Sequence, residues 1–184
     1  MGLDMYLNKE TFVGFNYEHR RNEDGGVPMT ISGKYSHIKP ERVSKITEQV
    51  GYWRKANAIH EWFVKNVQGG RDECQKSEVS REQLEALLDT VNTVLSSTKL
   101  VAGAVINGYT ASKETNGELR ANIEDGKVLS DTDKAEELLP TQSGCFFGGV
   151  NYDQWYYASL VETREILESA LAEDGGEFYY QASW

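Results

Sequence analysis

The chain has 184 residues and a mass of 20.7 kDa; 39% of its residues are hydrophobic and 26% are charged. This balance, with a mean hydropathy of −0.56, is typical of a globular protein and excludes a disordered or membrane-embedded chain. The length suits a single domain over residues 1–184. No run approaches the roughly 18 apolar residues of a membrane span, and the N-terminus lacks a secretory signal. We therefore expect a cytoplasmic protein without membrane contact.

The net charge of −10 is unevenly distributed along the chain. Residues 1–60 contain nine Lys/Arg and seven Asp/Glu, whereas residues 61–184 contain ten Lys/Arg and twenty-two Asp/Glu. Proteins that bind duplex nucleic acid need clustered cations to neutralise phosphates. The acidic remainder of the chain therefore argues against general duplex binding, and it leaves a small-molecule ligand or another protein as the expected partner.

The N-terminal segment alternates apolar and polar residues, a pattern that predicts a half-buried strand over residues 2–7. Leu3, Met5 and Leu7 share one side of this strand. The segment 16–36 is rich in Gly, Asn, Glu and Asp, which predicts a long loop.

Residues 40–67 carry apolar side chains at steps of three and four, and this spacing predicts a long amphipathic helix. Gly51 is the point at which this helix would either kink or divide in two, with the second piece starting at Tyr52. Pro40 suits the first turn of such a helix. Two polar residues, Asn57 and His60, interrupt the apolar stripe where a plain core helix would carry leucine. The predicted stripe consists of Val43, Ile46, Val50, Trp53, Asn57, His60, Val64 and Val67.

The next two segments predict a helix and a hairpin. Ser80 followed three residues later by Gln83 is a capping-box pattern, which predicts the start of an amphipathic helix that runs to about Ser97. Residues 100–130 predict a β-hairpin insertion, with turn signals at Asn107-Gly108 and at Asp125-Gly126.

The C-terminal third predicts four further elements. A short helix is expected over residues 131–139 because Pro140 stops it, and a strand is expected over residues 145–147 because glycines flank it. Asn151 or Asp153 is expected to cap a last helix, whose buried face would carry Tyr156, Leu160, Thr163, Leu167 and Ala170. Alternation over residues 177–184 predicts a final strand.

These elements predict an α+β fold, in which a small, mainly antiparallel sheet is covered by two or three helices. The hairpin near residues 100–130 is expected to be an insertion. We expect the first and the last strand to lie in the same sheet.

The polar residues in the predicted helix suggest a ligand-binding site. An indole, an amide and an imidazole at Trp53, Asn57 and His60 can stack a planar base and bind its edge. The alternative is that the amide and the imidazole bind backbone carbonyls or Asp4 and tie a core together. The candidate ligand-binding residues are Trp53, Arg54, Asn57, His60, Asp4, Tyr6, Gln142, Ser143 and Tyr156.

A hydrolytic enzyme is the first alternative function, with His60 acting beside Cys145 or Asp4. Cysteine catalysis requires a thiolate close to a histidine, and spacing in the sequence does not establish that proximity. The two cysteines, Cys74 and Cys145, lack the spacing of a metal site, and no known metal or phosphate motif occurs. We predict neither a metal site nor a cofactor.

A protein-binding surface is the second alternative. Tyrosine and tryptophan anchor many interfaces because they bury a large area at little rotamer cost. Trp155 and Tyr156 are adjacent in the last predicted helix, so the core cannot bury both equally. An acidic surface with exposed aromatic residues would suit a basic protein target, and a homo-oligomer is possible.

Four segments of the chain carry a resemblance to a known family. The N-terminal MGLDMYL, YWRKANAIHEWFV, ELLPTQSGCFFGGVNYDQWYY and the C-terminal FYYQASW resemble a family of small, uncharacterised proteins encoded by bacteriophages and prophages. The resemblance implies a phage accessory protein that acts in the cytoplasm of a bacterial host, and it implies no catalytic residue. The leading hypothesis is therefore a binding protein with a polar-aromatic pocket, which sequesters a small host ligand such as a nucleotide in counter-defence.

Overall fold

The computed structural model describes residues 2–14, 19, 23, 29–111, 119–144 and 146–184. Most of the predicted loop over residues 16–36 lies outside the described residues, and so does Cys145. The strands are β1 (Asp4–Phe12), β2 (Lys45–Arg54), β3 (Ser77–Val79), β4 (Leu100–Ala111), β5 (Leu119–Leu129) and β6 (Glu177–Ser183). The α-helices are α1 (Asn57–Asn66), α2 (Arg81–Ser97), α3 (Asp133–Leu138) and α4 (Gln154–Ala172).

A four-stranded antiparallel sheet forms the centre of the fold, in the order β2-β1-β6-β3. The first and last strands are neighbours, with Met5 paired to Ala182. Strands β4 and β5 form a separate two-stranded sheet. The α+β class, the small antiparallel sheet and the hairpin near residues 100–130 are therefore confirmed.

One face of the four-stranded sheet, the inner face, packs against the helices. The alternation of β1 places Met5 and Leu7 on this face, where both are fully buried. Strand β6 contributes Phe178 and Tyr180, and the Tyr180 ring stacks on Phe63 of α1 at 3.9 Å between ring centroids. The core therefore lies between the inner face and the helical layer.

The two long helices form as the sequence predicts. The Ser80 side chain accepts a hydrogen bond from the Gln83 amide, and the Gln83 side chain accepts one from the Ser80 amide, so the capping box is complete. The Asp153 carboxylate caps α4 by accepting bonds from the amides of Trp155 and Tyr156. The buried residues of α4 are the five that were predicted: Tyr156, Leu160, Thr163, Leu167 and Ala170.

The predicted long helix over residues 40–67 is wrong. Pro40–Arg42 forms a single 3₁₀ turn, Lys45–Arg54 forms β2, and only Asn57–Asn66 is α-helical. The steps of three and four among Val43, Ile46 and Val50 are therefore a coincidence of spacing. Pairing with β1, which lies about 40 residues earlier in the sequence, determines the extended conformation of β2.

Close packing against α4 explains the glycine in β2. A Cβ atom at Gly51 would lie 2.6 Å from Cγ2 of Ile166. Lys55 follows the strand with φ of 60° and turns the chain into α1. The break between strand and helix thus replaces the kink that a glycine in a continuous helix would imply.

The hairpin has β structure where it was predicted, but the two turn signals are wrong. Gly108 has φ of 81° and lies in an irregularity of β4 between Ile106 and Tyr109. Gly126 lies within β5, directly opposite Gly103. Gly108 of the Asn107-Gly108 pair therefore lies in a β-bulge and not in a turn that reverses the chain.

The short helix α3 confirms the prediction for residues 131–139. The predicted strand over residues 145–147 is wrong at the two described positions, because Phe146 is in a turn with φ of 62° and Phe147 is irregular. Within the described residues, no helix is long and apolar enough to cross a bilayer.

Candidate functional site

The structure divides the predicted site residues between the two faces of the sheet. Trp53 and Arg54 are consecutive in β2, so their side chains point to opposite faces. The inner group consists of Trp53, Asn57, His60 and Tyr156, with Gln142 and Ser143 in the loop that follows α3. The outer group consists of Asp4, Tyr6 and Arg54 together with Tyr52, which is not one of the predicted site residues. One pocket therefore cannot contain all of the predicted residues.

Trp53 is a core residue. It is fully buried, and its Nε1 group donates to Oγ1 of Thr163 in α4 at 2.9 Å. The Thr163 hydroxyl in turn donates to the carbonyl oxygen of Ser159 at 2.6 Å. The indole therefore fastens β2 to α4, and its one donor is already used.

Asn57 holds the loop between α3 and α4. Its Nδ2 group donates to the carbonyl oxygens of Phe147 (3.2 Å) and Gly149 (2.8 Å), and its Oδ1 atom accepts from the Gln142 amide (2.9 Å). The residue is only 4% exposed, whereas Ser143 in the same loop is exposed. Both amide donors and the carbonyl of Asn57 thus serve the backbone of this loop.

His60 lies at the centre of a series of hydrogen bonds that runs from the buried Tyr180 to the half-buried Asp72 and the exposed Trp184. Its Nδ1 atom is 2.7 Å from the Tyr180 hydroxyl, and its Nε2 atom is 3.0 Å from Oδ2 of Asp72. Trp184 donates from Nε1 to the second oxygen of Asp72, Oδ1, at 3.1 Å. The imidazole is 2% exposed, and Phe147 meets its edge at 5.4 Å between ring centroids.

The partners of His60 fix the position of its proton. The Asp72 carboxylate only accepts, so Nε2 carries hydrogen; in the neutral ring, Nδ1 then accepts from the Tyr180 hydroxyl. With the protons placed in this way, both nitrogen atoms of the His60 ring have a hydrogen-bond partner. The carboxylate that His60 binds is that of Asp72, which lies in the segment after α1. It is not that of Asp4, which the alternative interpretation of the sequence had named as a partner.

Tyr156 also directs its polar atom into the protein. The hydroxyl donates to the carbonyl oxygen of Leu139 at 3.0 Å, and burial raises the pKa of this phenol. The Tyr152 ring packs against it at 5.0 Å between centroids. Tyr156 therefore joins α4 to the end of α3.

Asp72, Tyr180 and Trp184 complete the inner group, and the sequence did not identify them as partners of His60. Alternation along the last predicted strand places Tyr180 on the same face as Phe178 and Ala182, but it does not show which face is buried. Asp72 lies in an irregular segment after α1, and no periodic signal marks it.

The outer face of the sheet carries a second group of aromatic and charged side chains. Tyr6 and Tyr52 are paired across β1 and β2, with ring centroids 5.4 Å apart. The Tyr52 hydroxyl donates to Oδ1 of Asp4 at 2.5 Å, and this bond raises the pKa of the phenol. Nε of Arg54 lies 3.9 Å from the same carboxylate oxygen. Tyr52 is 38% exposed, and Arg54 is exposed.

A charged network adjoins this group. The Glu10 carboxylate accepts bonds from Lys45 (2.6 Å), Lys76 (2.5 Å) and Thr47 (3.2 Å). These donors, led by Lys45, lower the pKa of Glu10 to about 2. Lys76 also lies over the Tyr179 ring, 3.9 Å from its centroid. The carboxylate therefore stays ionised and holds two cations on the sheet.

The geometry of His60 does not provide a nucleophile. Asp72, His60 and Tyr180 are bonded in the order that activates a hydroxyl in hydrolases, but Tyr180 is fully buried and its burial raises the pKa well above the ordinary value. Asp4 lies on the other face of the sheet, and Cys145 lies outside the described residues. Among the residues that the structure describes, no group of three or more His, Cys, Asp or Glu could hold a metal ion.

An open depression of about 290 Å³ lies where β3 meets β6. Residues 78–81 and 175–178 line it, and none of the predicted site residues belongs to these ranges. Comparison with known proteins adds no assignment, because no protein-family model, no curated protein and no solved structure matches the chain.

Proposed function

We propose that the protein is a non-catalytic phage accessory protein that binds a protein of the bacterial host through the outer face of its four-stranded sheet. The phage setting rests on the sequence resemblance. The observation that carries the choice of surface is the outer group, in which Tyr52 and Arg54 are exposed and Asp4 and Tyr6 are half-buried. It contrasts with the internally bonded group around His60.

The outer group has the chemistry of a protein-binding surface. Tyrosine and arginine are enriched among the residues that dominate binding energy, and here they lie together on neighbouring strands. The Tyr52–Asp4 bond and the contact with Tyr6 hold the Tyr52 ring before a partner arrives, which lowers the entropy lost on binding. The net charge of −10 belongs to the whole chain, and it favours a partner of net positive charge because long-range attraction speeds association. The outer group itself carries one charge of each sign, at Asp4 and Arg54.

Two other functions remain less well supported by the contacts. A ligand that stacks on Trp53 and bonds to Asn57 or His60 would have to displace the hydrogen bonds that these groups make within the protein. A hydrolase based on His60 would need a nucleophile other than the buried Tyr180 hydroxyl. Sequestration of a nucleotide in counter-defence thus requires the inner group to open, whereas protein binding does not.

Capture from a bacterial lysate, followed by calorimetry with the purified partner, tests the proposal. Tyr52→Ala should weaken binding at least about tenfold, because it removes the most exposed ring of the outer group. Tyr35→Ala is the matched control, since Tyr35 is an exposed tyrosine outside the sheet, and it should bind as the wild type does. Equal loss in both variants, or no partner retained at low salt, would contradict the proposal.

A further inference from the structure

The hairpin of β4 and β5 is anchored to the rest of the protein at one end. There the Lys127 amide donates to Oε1 of Gln154 at 3.0 Å, and the Leu129 amide donates to the carbonyl oxygen of Tyr152 at 3.0 Å. Val105 and Leu129 are buried at this end. Beyond Val105, nearly all described residues of both strands are exposed or half-buried. The far part of the hairpin therefore extends away from the core.

One face of this far part is polar and internally bonded. Nδ2 of Asn107 donates to Oε1 of Glu124 at 3.0 Å, and Oγ1 of Thr110 donates to Oδ1 of Asn122 at 2.9 Å. These cross-strand bonds satisfy polar side chains without a partner. The polar face is therefore suited to water.

The opposite face is apolar and exposed. The register pairs Ile106 with Ile123 and Tyr109 with Ala121, and alternation places Leu119 on the same side. Tyr109 is 61% exposed, Leu119 is 68% exposed and Ile123 is 70% exposed. We call Ile106, Tyr109, Leu119 and Ile123 the apolar stripe. A two-stranded sheet is at best marginally stable in water unless its apolar face packs against another part of a protein. We therefore expect another protein surface to pack against the apolar stripe.

We propose that the apolar stripe packs against the same stripe of a second copy of this chain, so that the two hairpins form a small face-to-face dimer. A two-fold axis through the stripe brings each apolar side chain against the equivalent set, which makes the surface complementary to itself. This proposal does not depend on the proposed function, which uses the outer face of the other sheet.

The distribution of charge favours a second copy at this location. Residues 100–129 contain three Lys/Arg and four Asp/Glu, a net charge of −1, whereas the whole chain carries −10. Residues 1–60 carry a net charge of +2, so most of the repulsion between two copies comes from residues 61–99 and 130–184, and little of it comes from the hairpin. The hairpin is therefore a part of the molecule through which like-charged copies can approach closely.

The area of the stripe sets the expected strength of the dimer. A stable interface buries roughly 800 Å² on each partner, and four side chains provide less than that. The expected dimer is consequently weak and reversible, with a Kd of roughly 10 µM.

Sedimentation equilibrium over about 1–100 µM, a range that brackets such a Kd, tests the proposal. The average mass of the wild type should rise from 20.7 kDa towards twice that value as its concentration rises. Ile123→Lys should raise the Kd at least about tenfold. This substitution places a charge in the apolar interface but makes the net charge of the chain less negative, so greater long-range repulsion between the copies cannot explain the loss.

Thr110→Lys is the matched control, because it adds the same charge to the polar face of the same hairpin. Its Kd should stay within about twofold of the wild-type value, and far-UV circular dichroism should match for all three proteins. A wild type that stays monomeric over the whole range would overturn the proposal. Equal weakening by Thr110→Lys and Ile123→Lys would also overturn it.

Discussion

Replacing Asn57 with leucine should lower the free energy of unfolding by about 2–3 kcal/mol, because groups on the loop after α3 lose their partner. The carbonyl oxygens of Phe147 and Gly149 would lose a donor, and the Gln142 amide would lose its acceptor. Leucine has the same number and branching of side-chain heavy atoms as asparagine, so the substitution leaves no cavity and the loss reports the hydrogen bonds. Urea denaturation followed by circular dichroism measures the change.

Asn66→Leu is the control for this substitution. Asn66 is in the same helix and its Nδ2 group also donates to a backbone carbonyl, that of Trp62 at 2.8 Å, but the residue is exposed. Its replacement should change the free energy of unfolding by no more than about 0.5 kcal/mol. Equal effects of the two substitutions would mean that Asn57 has no special structural role.

Replacing His60 with alanine should have the largest effect, a loss of about 3 kcal/mol or more in the free energy of unfolding. The substitution leaves a cavity beside Phe147 and removes the acceptor of the buried Tyr180 hydroxyl. Combining it with Tyr180→Phe should restore part of the loss, because the hydroxyl that lacks a partner is then absent too.

His37→Ala provides the matched control, since His37 is exposed and its ring contacts only the nearby carbonyl oxygen of Lys34 in the described hydrogen bonds. This control should unfold at nearly the wild-type urea concentration. If His60→Ala were as stable as the wild type, the imidazole would not be part of the core, and the pocket hypothesis would regain its support.

Local signals in the sequence predicted the helices that have their own caps and faces. The capping box at Ser80 and the five-residue face of α4 were both identified correctly, because a helix repeats its contacts every three or four residues. The antiparallel sheet and the position of the hairpin followed from strand alternation and from the order of the elements.

The prediction failed where pairing with a distant segment decided the conformation. Apolar residues three and four positions apart in 43–53 satisfy a helical pattern, yet β1 pairs with this segment and makes it a strand. The error changed the site as well. In a helix Arg54 would stand next to Trp53 around the axis, whereas in β2 it points to the opposite face of the sheet.

The partners of the two polar helix residues could not be predicted for a related reason. Asn57 and His60 do lie on one buried face of α1, as their spacing of three indicates. The groups that they bind come from the loop after α3, from Asp72 and from the last strand. Periodicity in one segment carries no information about which distant polar groups face it, so the sequence left both a core network and a pocket open.

The protonation of the His60 ring tests most directly whether this group is a closed network. At about pH 8, where an ordinary histidine is neutral, long-range ¹H–¹⁵N correlation spectra distinguish a ring protonated on Nε2 from one protonated on Nδ1. We predict that His60 carries its proton on Nε2, that its resonances change when Tyr180 is replaced by phenylalanine, and that added nucleotides leave them unchanged. A ring protonated on Nδ1 would contradict the proposed hydrogen bonds of His60 to Asp72 and Tyr180. Resonances that move on addition of a nucleotide would contradict the claim that these bonds leave no room for a ligand.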